Sequence, residues 1–281
     1  MSQVFLSPHL DDAPLSCGGY IHQLASAGQR VLVVTVCAGD PPAGPLSDYA
    51  LSLHARWGQP ADRARTVAAE MIAERRAEDR AALERLGAEA LHLDLPDVIY
   101  RRDARGAWLV DDDAALFAGY RPADAGTVDA LAERILEIAA ERLAPESAGG
   151  QARPASQGLY IPLGIGDHAD HHLVRRAAER AIERDPGLAR TCFYYEDYPY
   201  AADEARLSAA IAHEAATATW QARRMRLAAE DLDARIASVA CYASQISSFW
   251  SDLAAMDAEL RAFAARRGGK AGPAEVLWRP L

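Results

Sequence analysis

The amino-acid sequence predicts an α/β fold in which a mainly parallel sheet carries helices on both faces, followed by a helical C-terminal extension. Short apolar runs alternate along the chain with longer stretches of helical periodicity. Such alternation is typical of parallel sheets, because each helix crosses one face and returns the chain to the same edge. The 281 residues, 50% of them hydrophobic, suffice for a full core, so we expect a single domain over residues 1–281.

The first strand, helix and second strand are predicted within the first 36 residues. Apolar runs at residues 4–6 and 31–36 predict buried strands. Residues 17–27 between them have helical spacing and lead to Gly28, which is a helix stop signal. Together they predict one βαβ unit.

The same alternation continues downstream. Helices are predicted over residues 64–86, 127–143 and 171–184, and strands over residues 90–93, 158–162 and 192–195. Residues 201–281 are predicted to be mostly helical, with residues 227–243 as the clearest helix, and we expect them to wrap the sheet.

Two segments lack a clear period. Residues 95–125 are rich in Asp, Arg and Gly and are expected to form an insertion or a long active-site loop. Without a hydrophobic period the segment has little means to bury itself, so we expect it to be more mobile than the sheet. Residues 144–156 combine Pro, Gly, Ser and Ala and predict a surface connection.

Composition excludes several classes of protein. A net charge of -10 argues against nucleic acid as a partner, since the electrostatic footprint of such a binder is basic. The sequence contains no recognisable signal peptide and no transmembrane segment, so a cytoplasmic protein is expected. The cysteines are far apart and show no CxxC spacing, which favours packing roles: Cys17, Cys37, Cys192 and Cys241.

Two short loops rich in His and Asp follow predicted strands. Residues 7–12 read SPHLDD, and residues 166–172 read GDHADHH. In an open parallel sheet, ligands collect at the carboxyl ends of the strands, where both loops are expected. A catalytic metal site needs three protein ligands and an open position, and mixed His and carboxylate sets suit zinc. Asp12 and Asp170 can also be explained as helix caps, but two such loops at one edge favour a metal site.

At these residues the chain resembles the LmbE-like or PIG-L-like N-acetylglucosaminyl deacetylases. The family signature is a Pro-His-Pro/Leu-Asp-Asp loop after the first strand and a His-x-Asp-His loop downstream, matched here by residues 8–12 and 168–171. Weaker similarities run through most of the chain, at residues 16–19, 75–78, 86–87, 194–197 and 242–245. Leu10 replaces the Pro that is commoner in the family, and Ala13-Pro14 stands where many members have Glu, which weakens inference to any particular substrate.

The resemblance implies a Rossmann-like fold and a zinc-dependent hydrolase of linear amide C–N bonds. The implied substrate is a small-molecule amino sugar or glycoside, from whose nitrogen an acyl group, expected to be acetyl, is removed. It further implies that His9, Asp12 and His171 bind Zn²⁺ while Asp11 is the general base. Neighbouring side chains on an extended or turning backbone point in different directions, so the two aspartates can play different parts.

The resemblance also implies functions for three further residues. His168 would stabilise the oxyanion or protonate the leaving amine, and Asp170 would orient a histidine. Arg75 would contact a substrate hydroxyl, although an Arg three residues before Glu78 on a helix is equally explained as a solvated pair. Packing of the ring in the core is the favoured explanation for Tyr242.

Two other functions remain open from the sequence. A histidine, a carboxylate and a second histidine also match the metal triad of non-haem iron oxygenases, but that interpretation leaves one Asp unexplained and requires a different scaffold. A non-catalytic nucleotide- or sugar-binding module is disfavoured because residues 17–19 do not form a GxGxxG fingerprint. Neither the acceptor glycoside nor the oligomeric state is encoded in a readable motif.

Overall fold

A computed structural model describes residues 1–57, 64–143, 157–216 and 218–281, with the backbone alone for residues 64–67. The connection predicted at 144–156 lies outside the described residues.

Seven strands form one sheet in the order β3-β2-β1-β4-β5-β7-β6. Strands β1 to β5 are parallel neighbours, whereas β7 runs antiparallel to both β5 and β6. The strands are β1 Ser2–Ser7, β2 Arg30–Thr35, β3 Glu89–His92, β4 Gly158–Pro162, β5 Cys192–Tyr195, β6 Trp220–Arg226 and β7 Ala274–Pro280. The predicted fold class, a mainly parallel sheet flanked by helices, is confirmed.

Ten α-helices lie within the described residues. They are α1 Asp12–Ser26, α2 Asp48–Arg56, α3 Ala64–Arg85, α4 Asp113–Leu116, α5 Ala125–Arg142, α6 Ala169–Arg184, α7 Glu204–Ala215, α8 Ala229–Val239, α9 Ala243–Phe249 and α10 Leu253–Gly268. Helix α1 begins five residues before the predicted start, because Pro14 falls in its first turn, where proline is tolerated. None of the described helices is both long and apolar enough to cross a membrane.

The sheet is buried on both faces, as its apolar strands require. Val4 and Leu6 of β1 pack in the cluster that includes residues of α5 and α6. Phe5 points to the other face, where it joins residues of α1. Alternate side chains of a strand therefore serve two helical layers, which is why β1 reads as a continuous apolar run.

The C-terminal part contributes two strands that the sequence analysis does not predict. The residues of β6 read WQARRMR and are mostly exposed, so no apolar run marks this edge strand. The following strand in the chain, β7, lies between β5 and β6 and is buried over its first four residues. Residues 201–281 thus combine helices with an antiparallel extension of the main sheet.

Residues 95–125 are packed more closely than expected. Val98, Ile99 and Tyr100 are buried against Tyr49 and Leu53 of α2, and later residues of the segment join the same cluster. The expectation that this segment cannot bury itself is wrong. Its apolar residues have no regular period, yet they converge on a partner helix that a local pattern does not reveal.

Candidate metal centre and active-site cleft

The polar residues that the sequence singles out meet at the carboxyl edge of the sheet. Residues 8–12 follow β1, and residues 163–168 follow β4. Because β1 and β4 are adjacent parallel strands, both loops emerge side by side. His9, His168 and His171 offer one ring nitrogen each within 4.8 Å of one another, although some 160 residues separate the loops in the chain.

The first loop is held by its own hydrogen bonds. Ser7 Oγ donates to the His9 carbonyl at 2.7 Å and accepts from the Ala13 backbone N–H at 3.0 Å. The His9 backbone N–H donates to Asp12 Oδ2 at 2.7 Å. The turn therefore holds the Asp12 carboxylate beside the backbone of His9 without help from a ligand.

The second loop depends on left-handed backbone conformations. Gly164, Gly166 and Asp167 have φ angles of 81°, 89° and 59°. A Cβ at Gly166 would lie 2.5 Å from the Tyr200 ring, so this position needs glycine for space as well as for conformation. The Ile165 backbone N–H donates to Asp197 Oδ2 at 3.0 Å, which ties the loop to the segment after β5.

The Asp12 carboxylate lies close to one ring nitrogen of His9 and one of His171. Asp12 Oδ2 lies 3.2 Å from His9 Nδ1 and 3.4 Å from His171 Nε2. Ligands in a tetrahedral site with bonds of about 2.1 Å stand about 3.4 Å apart. Both distances match that separation, so Asp12 could share a metal ion with either histidine.

His171 is oriented by a carboxylate on its other nitrogen. Its Nδ1 lies 2.7 Å from Asp197 Oδ1, and both side chains are almost fully buried. A proton on Nδ1 leaves the Nε2 lone pair free to bind a metal, an arrangement that metal-binding histidines commonly adopt. The sequence analysis gives Asp197 no function, although its position just after β5 is a usable signal.

His9 has a comparable partner in Asp170. The distance from His9 Nε2 to Asp170 Oδ2 is 3.1 Å, so the orienting contact expected of Asp170 falls on His9. Asp170 is fully buried and also accepts hydrogen bonds from the Val98 backbone N–H, at 2.9 Å, and from the Arg101 guanidinium. The segment 95–125 thereby neutralises the buried charge that holds His9.

His168 faces the same centre with a different hydrogen-bond pattern. Its Nδ1 accepts the Asp170 backbone N–H at 3.2 Å, which caps the start of α6. A neutral His168 must then carry its proton on Nε2, where it can donate but not bind a metal. Burial, reinforced by the nearby His9 and His171, holds the pKa of His168 well below its usual range.

Shared carboxylates shift the titration of the two candidate ligand histidines. Burial by itself lowers the pKa of His9, but hydrogen bonds with Asp12 and Asp170 outweigh it and the net shift is upward. For His171 burial is likewise outweighed, chiefly by the Asp12 charge, and the pKa rises to about 9. Burial opposes ionisation of Asp12, yet His171 and His9 hold its pKa well below the usual range. The cluster thus favours the carboxylate form that a metal also requires.

Asp11 lines the same cleft as His9 and Asp12, and its carboxylate lies near Arg75. Its Oδ2 lies 3.6 Å from Arg75 Nη2. Burial raises the pKa of Asp11 to about 7, while the Arg75 charge opposes the shift. The Arg75 Nε is buried and has no hydrogen-bond partner among the described residues, whereas the side chain as a whole contributes to the cleft lining. The alternative pair with Glu78 is not formed, since Glu78 accepts from the Ser244 backbone and hydroxyl.

A second buried network supports the helix that carries Arg75. Asp79 accepts from the Tyr242 hydroxyl at 2.6 Å and lies 2.8 Å from His92 Nε2. The Tyr242 ring is buried, as the sequence analysis favours, while its hydroxyl joins this network. Nothing in the local sequence marks Asp79 or His92, because they meet only through the contact between α3 and β3.

The donor atoms lie at the base of a cleft with a volume of about 450 Å³. Its walls come from the two loops, α2, the segment 95–125 and α9. They include Asp97, whose Oδ2 is 3.7 Å from His9 Nε2, and Gln245. The volume falls within the range of small-molecule sites, which makes this cleft a candidate active site.

Comparison with known proteins identifies similar chains. The family model described as PIG-L, GlcNAc-PI de-N-acetylase, matches residues 4–182. A 2'-N-acetylparomamine deacetylase from Niallia circulans is 27% identical over 214 residues, covering 70% of this chain and 66%, just under two thirds, of that relative.

Solved structures are similar over nearly the whole chain. A teicoplanin deacetylase in a zinc-inhibited form is 26% identical, with a TM-score of 0.77 and coverage of 99% of this chain and 97% of that one. An A40926 pseudoaglycone deacetylase is also 26% identical, with a TM-score of 0.71 and coverage of 99% and 96%.

Proposed function

We propose that this chain, which belongs to the PIG-L family of GlcNAc-PI de-N-acetylases, is a hydrolase of linear amide C–N bonds. Its proposed reaction removes an N-acetyl group from an amino sugar or small glycoside, with zinc as the metal. The observation that carries the proposal is the set of donor distances around Asp12, at 3.2 and 3.4 Å. The named activities of the similar deacetylases support the substrate class.

In this proposal His9, Asp12 and His171 hold the metal. Bound zinc supplies a Lewis acid that lowers the pKa of water to about 7 and polarises a carbonyl group. The hydrogen bonds that His9 and His171 donate to Asp170 and Asp197 hold the two rings at the required orientation.

Asp11 acts as general base. Its carboxylate accepts a proton from the attacking water and then passes that proton to the nitrogen of the leaving amine. Acetate and free amine are the products, so one water is consumed for each amide bond broken. The Arg75 guanidinium, 3.6 Å from Asp11, keeps the carboxylate directed into the cleft, and as part of the cleft lining it can donate to a substrate hydroxyl.

His168 stabilises the negative charge that develops on the carbonyl oxygen. Because its Nδ1 is occupied by the Asp170 N–H, the Nε2 proton is the one available to the substrate. A neutral imidazole that donates a hydrogen bond is an effective electrophile in a buried site. Of the two functions that the resemblance implies for His168, we propose oxyanion stabilisation, with Asp11 supplying the proton to the amine.

The two other functions lose support. The α/β sheet differs from the all-β scaffold expected for the oxygenase alternative. A non-catalytic module would have no use for Asp11 beside a complete set of metal donors. The family match and the deacetylases among the similar structures favour hydrolysis.

A panel of N-acetylated glucosamine glycosides tests the proposal. Acetate and free amine should be released in equal amounts, and a chelator should abolish release. Because the similar teicoplanin deacetylase was crystallised in a zinc-inhibited form, zinc should be restored at one equivalent per chain. Recovery with zinc but not with magnesium is expected. Turnover that survives complete metal removal would contradict the zinc mechanism.

A further inference from the structure

The candidate active-site cleft is lined by apolar side chains as well as by polar and charged groups. We call the apolar lining residues the apolar rim: Leu53, Trp57, Ile99, Leu116, Phe117 and Phe249. They come from α2 and its C-terminal end, from the segment 95–125, and from the end of α9. Three separate stretches of chain therefore converge on one apolar surface.

Two members of the rim are exposed to solvent. Phe117 is 38% exposed and Phe249 is 40% exposed. Only six large hydrophobic residues are that exposed in the part of the chain that the structure describes, and two of them are Met1 and Leu281 at the ends. The other two, Tyr120 and Leu253, lie within four residues of Phe117 and Phe249 respectively.

Exposed apolar side chains are common singly, so their concentration is the informative feature. Apart from the two ends, every large exposed hydrophobic residue described is Phe117, Phe249 or a residue within four positions of one of them. Because exposed apolar area is unfavourable in water, a rim of this kind is best explained by an apolar group that covers it during binding.

Phe117 is also held in position relative to the catalytic groups. Its ring makes edge-to-face contacts with His168, at 5.6 Å between centroids, and with Tyr200, at 6.0 Å. An apolar group stacked on Phe117 is thereby placed at a fixed offset from the base of the cleft. The rim can contribute to orientation of the substrate as well as to its affinity.

We propose that the preferred substrates are N-acetylated glycosides with an aromatic or otherwise apolar aglycone, which packs on Phe117 and Phe249. This inference rests on the proposed function. In the proposed reaction the acyl side of the amide carries a single methyl group, which is too small to cover both Phe117 and Phe249. The apolar group therefore belongs to the glycoside and not to the acyl chain.

Paired substrates test this inference. Acetate release is compared for the methyl and phenyl glycosides of N-acetylglucosamine, in both anomers. The phenyl glycoside of one anomer should have a kcat/KM roughly tenfold above that of its methyl counterpart, from partial burial of the ring. Phe249→Ala, at an exposed position, should reduce that ratio to near one, and so should Phe117→Ala. Tyr120→Ala, exposed in the same segment as Phe117 but outside the cleft lining, is the control and should keep the ratio.

The outcomes separate this inference from the proposed function. A ratio near one in the unmodified protein, or an unchanged ratio in both phenylalanine variants, overturns it. A rate that rises with N-acyl chain length and falls in the two variants also overturns it, because the rim would then bind the acyl chain. If no glycoside is hydrolysed, the hydrolase proposal fails. The preference for an apolar aglycone is then decided by calorimetry: tighter binding of the phenyl than of the methyl glucosaminide supports it, and equal binding overturns it.

Discussion

Asp11 and Asp12 are neighbours in the chain with opposite surroundings. Asp12 lies between His9 and His171, whose positive character favours its ionised form. Asp11 faces Arg75 at 3.6 Å and lies outside the donor set. The two carboxylates are therefore expected to respond differently to substitution.

Replacing Asp12 by Ala should lower zinc content, because a three-ligand site loses one anchor. Asp11→Asn keeps the shape of the side chain and should retain zinc while activity falls by about 10²–10⁴-fold. Metal analysis after dialysis and initial rates of acetate release measure both effects. Asp167→Asn is the control, since its side chain is exposed and Asn tolerates the φ of 59°.

The opposite pattern, with zinc lost from Asp11→Asn and kept by Asp12→Ala, would show that ligand and base are exchanged. Retention of both metal and activity by the two variants would refute the mechanism.

Asp197 should influence zinc affinity without binding the metal. It holds His171 Nδ1 and the Ile165 backbone N–H with its two oxygens. In Asp197→Asn the amide nitrogen must replace one acceptor, so one contact is lost, and zinc affinity should fall by about 10–100-fold. Competition with a fluorescent chelator measures the change. Asp203→Asn, at the exposed N-cap of α7, is the control and should leave zinc affinity unaltered. Equal zinc affinities for the unmodified protein and both variants would show that Asp197 does not influence metal binding.

At the scale of elements, the loop between β4 and α6 decides whether the two histidine-bearing segments meet. Gly166→Ala introduces a Cβ 2.5 Å from the Tyr200 ring at a φ of 89°. A left-handed conformation costs a residue other than glycine about 1–3 kcal/mol, so both the free energy of unfolding and the zinc affinity should fall. Urea unfolding and chelator competition provide the measurements.

Gly126→Ala, near the start of α5 with open space around it, is the matched control. Alanine is favoured over glycine in a helix, so this variant should be as stable as the unmodified protein or slightly more so. If Gly166→Ala behaves like the control, the loop is less constrained than its geometry indicates.

At the scale of the whole molecule, β7 links the C-terminal part to the rest of the sheet. It pairs with β5 on one side and β6 on the other. Leu277 in this strand is buried in the same cluster as Phe5 of β1. A core shared in this way favours unfolding as one unit, and the single domain over residues 1–281 stays a prediction.

Calorimetry should accordingly record one unfolding transition whose calorimetric and van't Hoff enthalpies agree. Leu277→Ala should lower the free energy of unfolding by about 2–5 kcal/mol and shift the whole transition without splitting it. Leu281→Ala, at an exposed position, should have no effect. Two separable transitions, with only the first shifted by Leu277→Ala, would indicate that residues 201–281 form an independent unit.

The sequence by itself determined the fold class and the location of both polar loops. Buried parallel strands must be apolar on both faces. The apolar runs of β1 and β2 can therefore be recognised as strands in the sequence without knowing which strands pair with them. A related reason made it possible to place His9, Asp12 and His171 from the sequence. A short polar motif directly after a parallel strand must lie at the carboxyl edge of the sheet.

Tertiary structure alone decided the rest. β6 is an exposed edge strand without an apolar run, and β7 acquires its place only by pairing with β5. The contacts of Asp197 with His171 and of Arg101 with Asp170 join residues 26 and 69 positions apart. Charges and hydrogen bonds between distant residues leave no periodic trace in a chain, because their energy depends on distances that only the folded sheet creates.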